Sequence, residues 1–152
     1  MKAFEEKLND LLVTSFRAIE EIEEKMVKDA KTLNLSINEL HLIAAVGQDL
    51  EEGRTISEIS QRINLSLPTV TLAVNKLVKK GFMEKHKSEA DGRVVHVILT
   101  KQGKKADRAH TYFHRKMVSA VAKDMTEEEQ AALVKGIEHL NAFLAGKLAK
   151  GE

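Results

Sequence analysis

Phe82-Met83-Glu84-Lys85-His86-Lys87 and Val94-Val95-His96-Val97-Ile98-Leu99 are two short β-prone runs, and the polar loop between them carries Asp91-Gly92-Arg93. Two such runs around a polar loop predict a hairpin with an arginine at its tip. Immediately upstream, Lys79-Lys80-Gly81 reads as the basic last turn and glycine stop of a helix. That helix starts after Ser66, a good capping residue, with Pro68 in the first turn, where a missing N–H costs nothing.

Further upstream, Asn64-Leu65-Ser66 is a turn, and Thr55-Ile56-Ser57-Glu58 is a capping box that opens a short helix through Ile63. Two helices joined by a tight turn and followed by a hairpin predict a winged helix-turn-helix. Ser36-Ile37-Asn38-Glu39 is another capping box, opening a helix through about Gln48 that the Glu51-Glu52-Gly53 turn ends. The first helix reads from about Phe4 to Thr32, with Phe4, Leu8, Leu11, Leu12, Phe16, Ile19, Ile22 and Met26 forming an apolar stripe at spacings of three and four. Downstream, Thr100 caps a long helix through about Lys123. Thr126-Glu127-Glu128-Glu129 then opens a last helix with Leu133, Ile137, Leu140, Leu144 and Leu148 on one side. The predicted order is α-α-(short β)-α-α-β-β-α-α, a mainly α fold with a small β-hairpin wing. Residues 36–100 form the winged helix-turn-helix, and residues 1–35 and 101–152 the long terminal helices. Those helices are too long and too apolar for one small core, so the expected partner is a second copy and the expected state a homodimer.

The 152 residues bound the chain to one integrated domain with helical extensions. The absence of cysteine excludes disulfides, zinc-thiolate sites and thiol redox sensing. No apolar run approaches the roughly 18 residues of a membrane span, and the charged N-terminus shows no secretory signal, so the expected location is the cytoplasm and no membrane partner is expected. Net charge is only +1, but residues 54–105 carry 11 Lys/Arg against 4 Asp/Glu, whereas residues 1–53 carry 6 against 12. The basic block coincides with the helix-turn-helix and hairpin, which is the local patch that neutralising phosphates requires.

On the helix 67–80, Val70, Val74, Leu77 and Val78 should face the core, leaving Thr69, Thr71, Asn75 and Lys76 for base edges and phosphates. Ser66, Pro68 and Lys79 flank them. An arginine on a rigid tip is suited to a DNA minor groove. Asp91 is placed to orient the Arg93 guanidinium, and Lys85 and Lys87 to meet the flanking phosphates; Lys80 is a further phosphate candidate. The expected partner is double-stranded DNA.

A second constellation is histidine. His110 and His114 are four apart on one helix face, with His41 and Glu23 on two other helices. Two imidazoles at that spacing, a third imidazole and a carboxylate form a plausible Zn²⁺ set. They also fit an organic ligand's pocket, or an ordinary pair of helical histidines. A metal-dependent hydrolase would need the same residues around an open position. The chain has no Gly-rich phosphate loop, nucleophile motif or H-E-x-x-H spacing, so no enzyme activity is expected.

The run Asp91-Gly92-Arg93-Val94-Val95-His96-Val97-Ile98-Leu99-Thr100 resembles the D-x-R-x-x-x-(apolar)-x-L-T signature of the MarR family. Leu77-Val78-Lys79-Lys80-Gly81-Phe82-Met83-Glu84-Lys85 is similar to that family's L-x-x-x-G-(apolar)-(apolar)-x-R segment, with Lys85 in place of the usual arginine. The resemblance implies a homodimeric transcription regulator on a pseudo-palindromic operator, with interlocking terminal helices and a wing in each minor groove. Within the family, Ser36-Ile37-Asn38-Glu39-Leu40-His41, Lys87-Ser88-Glu89, His110-Thr111-Tyr112-Phe113-His114 and Met125-Thr126-Glu127-Glu128-Glu129 look like the fatty-acid-biosynthesis repressor branch. That likeness implies repression of fatty-acid-biosynthesis genes with a long-chain acyl group on acyl carrier protein as co-repressor and no required cofactor. The implied pocket is Leu12, Phe16, Ile19, Glu23, His41, His110, Phe113 and His114. The chain departs from the branch at Gly92, where a second arginine is usual, which implies weaker DNA binding. Glu23, His41, His110 and His114 alternatively resemble the histidine-rich site of the zinc-sensing uptake repressors, which implies zinc as effector.

Overall fold

The computed structural model describes residues 2–30, 34–47 and 51–151. Among them, the element order is α1 (Lys2–Asp29), α2 (Ile37–Val46), β1 (Arg54–Thr55), α3 (Ile56–Ile63), α4 (Leu67–Lys79), β2 (Met83–Lys87), β3 (Val95–Leu99), α5 (Lys101–Ala122) and α6 (Glu127–Lys150). This is the order expected from the sequence. The expected ends of the first two helices, at Thr32 and Gln48, lie outside the described residues. No described helix is long and apolar enough to cross a membrane.

Local chemistry sets each boundary. Ser36, Thr55 and Thr126 each accept the N3 backbone N–H, while the glutamate at that position reaches back to the cap's own N–H. Asn64 closes α3 in the left-handed region at φ 52°. Gly81, at φ 85°, ends α4. There the Phe82 N–H reaches the Leu77 carbonyl and the Gly81 N–H the Val78 carbonyl, the paired bonds that need a residue free of a Cβ clash.

β1, β3 and β2 form an antiparallel sheet in that order, with Arg54 opposite Val97 and Met83 opposite Leu99. The core lies between α2, α3, α4 and the inner face of this sheet. Ile43, Val46, Ile59, Val70, Val74, Leu77, Met83 and Val97 are fully buried there, and Val78 is partly so. Thr100 fastens the wing to α5. Its hydroxyl donates to the Gly81 carbonyl at 2.6 Å and accepts the Gly103 N–H at 3.2 Å, while its own N–H reaches the Phe82 carbonyl. Gly103 is required by this close approach, because a Cβ there would stand 2.1 Å from the Phe82 oxygen. Gly103→Ala is therefore expected to destabilise the fold by about 1–3 kcal/mol, the usual cost of overpacking. A melting temperature equal to wild type would show that the helix start can shift without cost.

By contacts the chain divides into two compact units, Met1–Thr111 and Tyr112–Glu152, with the division inside α5. This differs from the functional division expected at residues 35 and 100. The reason is that α1 and the first half of α5 pack with the winged helix, through Glu23 to His41 and His110 and through Ala106 in the core. On α1 the only buried side chain is Glu23, and Phe4, Leu8, Leu11, Phe16 and Ile22 are exposed. On α6 nothing is buried, and Leu133, Ile137, Leu144 and Leu148 are exposed.

Candidate nucleic-acid interface

The second helix of the helix-turn-helix, α4, turns Val70, Val74 and Leu77 inward, as the spacing predicts. Its opposite side carries the polar set. Ser66 caps the helix, and its hydroxyl pairs with that of Thr69 at 2.7 Å. Pro68 lies exposed in the first turn. Thr71 is half-buried and donates its hydroxyl to the Leu67 carbonyl at 2.8 Å, so it offers its methyl group more readily than a donor. Leu72 is 72% exposed in their midst, a large apolar side chain where only a partner could cover it. Lys79 is exposed near the end of the helix.

The hairpin is joined to this helix by a side-chain bond from Lys85 Nζ to Asn75 Oδ1. Lys87 and Arg93 are exposed. Asp91 does not act as the sequence led us to expect. Its Oδ1 accepts the backbone N–H of Arg93 at 3.0 Å, and its carbonyl accepts the N–H of Val94. Among the described residues no ion pair joins Asp91 to the guanidinium. The carboxylate instead shapes the tip as a local turn, which leaves the Arg93 head group to reach outward.

Two of the candidate lysines also meet a carboxylate across the fold. Lys80 was read as a phosphate partner, but its ammonium donates to Glu39 at 2.9 Å and to the Asn34 carbonyl at 2.7 Å. Lys76, still mostly exposed, reaches the same carboxylate at 3.3 Å. Burial of Glu39 acts to raise its pKa, but hydrogen bonds from Lys80, the Ser36 N–H and Lys76 outweigh it and hold the carboxyl below its ordinary value. This clamp between α2 and α4 was not read from sequence. Ser36-Ile37-Asn38-Glu39 announced the cap, but nothing local announces a lysine 41 residues further on.

Three members of the histidine constellation come together in the first unit. Glu23, 3% exposed, accepts from His41 Nε2 at 2.8 Å and from His110 Nε2 at 2.7 Å, one imidazole on each carboxylate oxygen. The ligand atoms of these three residues lie within 4.8 Å of one another. His114 belongs to the second unit, where its ring meets Phe113 edge-on at 5.1 Å. Of the apolar residues expected to line a pocket, Leu12 and Ile19 are half-buried and Phe16 is exposed. An apolar space lies one turn beyond Glu23. It is a cavity of about 50 Å³ lined by Met26, Val27, Ala30, Leu35, Leu40 and the α5 alanines Ala106 and Ala109. Small residues three apart on α5 were the available signal for it.

A capped helix-turn-helix, joined to a wing with an outward arginine and flanked by lysines, defines a DNA-binding transcriptional regulator of the winged-helix class. The chain belongs to the MarR family, to which residues 35–95 match. It is similar to FabT of Streptococcus pneumoniae, solved in complex with DNA, with 36% identity and a TM-score of 0.78 over 93% of this chain and 97% of that one. It is also similar to the HTH-type transcriptional regulator PchR of Bacillus subtilis (strain 168), 26% identical over 97% of this chain and 84% of the relative. A third relative is the transcriptional regulator AdcR of Streptococcus pneumoniae, 44% identical over a stretch covering 33% of this chain and 34% of AdcR.

Proposed function

We propose that the chain is a homodimeric repressor of fatty-acid-biosynthesis genes, acting on a pseudo-palindromic operator with long-chain acyl-acyl carrier protein as co-repressor. The observation that carries this reading is the 36% identity to FabT along nearly the whole chain, helices and wing together. The exposed apolar stripes of α1 and α6 support the dimer, since a two-fold pair of chains buries such stripes on both copies at once. Operator half-sites then lie about one helical turn apart. In this reading Thr69, Asn75, Leu72 and Lys76 address the major groove, Arg93 the minor groove, and Lys79, Lys85 and Lys87 the phosphates.

The cavity beside Glu23 supports an apolar effector, because its lining offers almost no polar surface to an alkyl chain. Its present volume is well below the roughly 150 Å³ that holds a benzene-sized guest. An acyl chain must therefore select a wider arrangement of α1, α2 and α5, and it acts on DNA affinity only by binding that arrangement better.

The geometry of Glu23, His41 and His110 favours a second reading, a zinc-responsive repressor of metal uptake. Two imidazoles and a carboxylate are a suitable zinc donor set, and the half-exposed His41 gives an entry path. A bound ion would tie α1, α2 and α5 together.

Operator binding measured with acyl-acyl carrier protein, with zinc and with a chelator tests both. The expected result is tighter binding with the acylated carrier, blunted by His110→Ala without loss of basal binding. Enhancement by zinc that a chelator abolishes and that His41→Gln also removes, with no response to the carrier, would establish the second reading instead. Gly92 supplies an independent check on the wing. A Cβ there meets nothing within 4 Å, so Gly92→Arg adds a cation without strain. It is expected to raise operator affinity a few-fold and steepen the salt dependence by about one phosphate contact. Unchanged affinity and slope would mean the tip stands clear of DNA.

A further inference from the structure

The outer face of the wing carries chemistry that neither DNA binding nor the central cluster uses. His86 on β2 stands directly opposite His96 on β3, and Thr55 of β1 stands opposite His96 on the other side. Directly paired residues share one face of a sheet, with Cβ atoms about 4.5–5.5 Å apart. Two imidazoles at that separation can converge on one ion at bonds of about 2.0–2.1 Å. Strand alternation puts Lys85 on the opposite face, where it meets Asn75 of α4. The histidine face therefore points away from the recognition helix.

We propose that this outer face binds a divalent cation of borderline softness, Zn²⁺ being the probe of choice, through His86 and His96. Imidazole selects zinc, nickel or copper over magnesium and calcium. Glu84, two residues before His86 and on the same face, holds His86 Nε2 at 3.1 Å. When His86 donates that N–H to the carboxylate, Nδ1 carries the lone pair available to a metal. This carboxylate–histidine arrangement orients imidazole ligands in zinc sites. The surrounding cleft, about 480 Å³, is lined by the carboxylates of Glu51, Glu52 and Glu89 against the single ammonium of Lys87. Its charge favours a cation, and water can fill the positions the two imidazoles leave open. The His86 side chain is about half exposed, so an ion reaches it without any opening of the fold.

The consequence lies at the tip. A metal bridge between His86 and His96 cross-links β2 and β3 at the root of the loop that presents Arg93. Ordering that loop in advance removes part of the entropy lost on DNA binding. Zinc at the wing should therefore tighten operator binding without any effector in the central cavity.

The experiment uses the full chain carrying Glu23→Gln and His110→Gln, which disables the central cluster. Zinc is titrated at neutral pH against a chromophoric chelator, and operator affinity is measured alongside. The expected result is one zinc retained per chain, with operator binding several-fold tighter, and both lost on adding His86→Ala and His96→Ala. No zinc binding in the double-glutamine chain, or binding that survives both alanines, would overturn the proposal. Because the glutamines touch a buried site, Cu²⁺ electron paramagnetic resonance on a chain carrying only His41→Gln, which leaves the central cluster a single imidazole, provides a second reading. A two-imidazole nitrogen signature lost on His86→Ala/His96→Ala supports the site, and an unchanged spectrum refutes it.

Discussion

Replacing Arg93 by alanine is expected to weaken operator binding by roughly 1–3 kcal/mol, about 5- to 150-fold, with little change in thermal stability. Arg93 is exposed, and among the described residues its side chain makes no ion pair or hydrogen bond, so its removal costs the isolated protein little. An arginine in the minor groove meets the strongest negative potential on the duplex, which is why the loss should appear on DNA alone. Asp91→Ala should act in the same direction by a smaller amount. The reason is the turn it holds through the Arg93 backbone N–H, and not an ion pair with the guanidinium. Fluorescence anisotropy with a labelled operator, at fixed salt, measures both. Affinity within error of wild type for Arg93→Ala would remove the wing from the interface.

The second large effect is expected at Glu39. Its carboxylate is buried, caps α2 and receives Lys80 and Lys76 from α4. Glu39→Ala removes half of a capping box and leaves the Lys80 ammonium without its counter-charge. A loss of about 3 kcal/mol is expected, the low end for breaking a buried pair, because Lys80 retains some exposure to water. Lys76 adds little, since its head group is mostly solvated. Glu39→Gln separates the two roles, since glutamine keeps the cap and loses the charge. The folded-state pKa lies below the ordinary carboxylate value. The stabilisation is therefore fully present above that ordinary value and lost as pH falls through the depressed one. The stability gap between wild type and Glu39→Gln should accordingly be widest near neutrality and close in acid. A gap independent of pH, by chemical denaturation, would show that the carboxylate's charge contributes nothing.

The clamp also bears on DNA binding. Lys76 can serve a phosphate only by leaving Glu39, so part of its attraction to DNA is offset by the contact it gives up. Lys80, at the C-terminal cap of α4, is held by both Glu39 and the Asn34 carbonyl and ties α2 to α4. A charge tally over residues 54–105 counts both lysines as free cations, because composition does not record which carboxylate lies across the fold.

Much of the architecture was legible because its signals are local. A capping box acts within four residues, a glycine stop within six, and an apolar stripe repeats every turn. Ser36, Thr55, Thr126 and Gly81 stand where such signals put them. The hairpin followed from two short β-prone runs and the loop between them, and the MarR resemblance was carried by residues of that same hairpin and the helix end before it. Even Glu23, His41 and His110, from three separate helices, could be nominated by residue type.

The sequence by itself thus determined the order of elements, the recognition helix and the wing, because each rests on contacts between near neighbours in the chain. Only the tertiary structure decided which polar groups meet. It turned Asp91 toward a backbone N–H, drew Lys80 to Glu39 and brought His41 and His110 onto the two oxygens of Glu23. It also placed an apolar space between Met26, Val27 and the alanines of α5. The physical reason is the same in each case. A side chain's partner across the fold is chosen by packing, and packing depends on three-dimensional distances that chain separation does not encode.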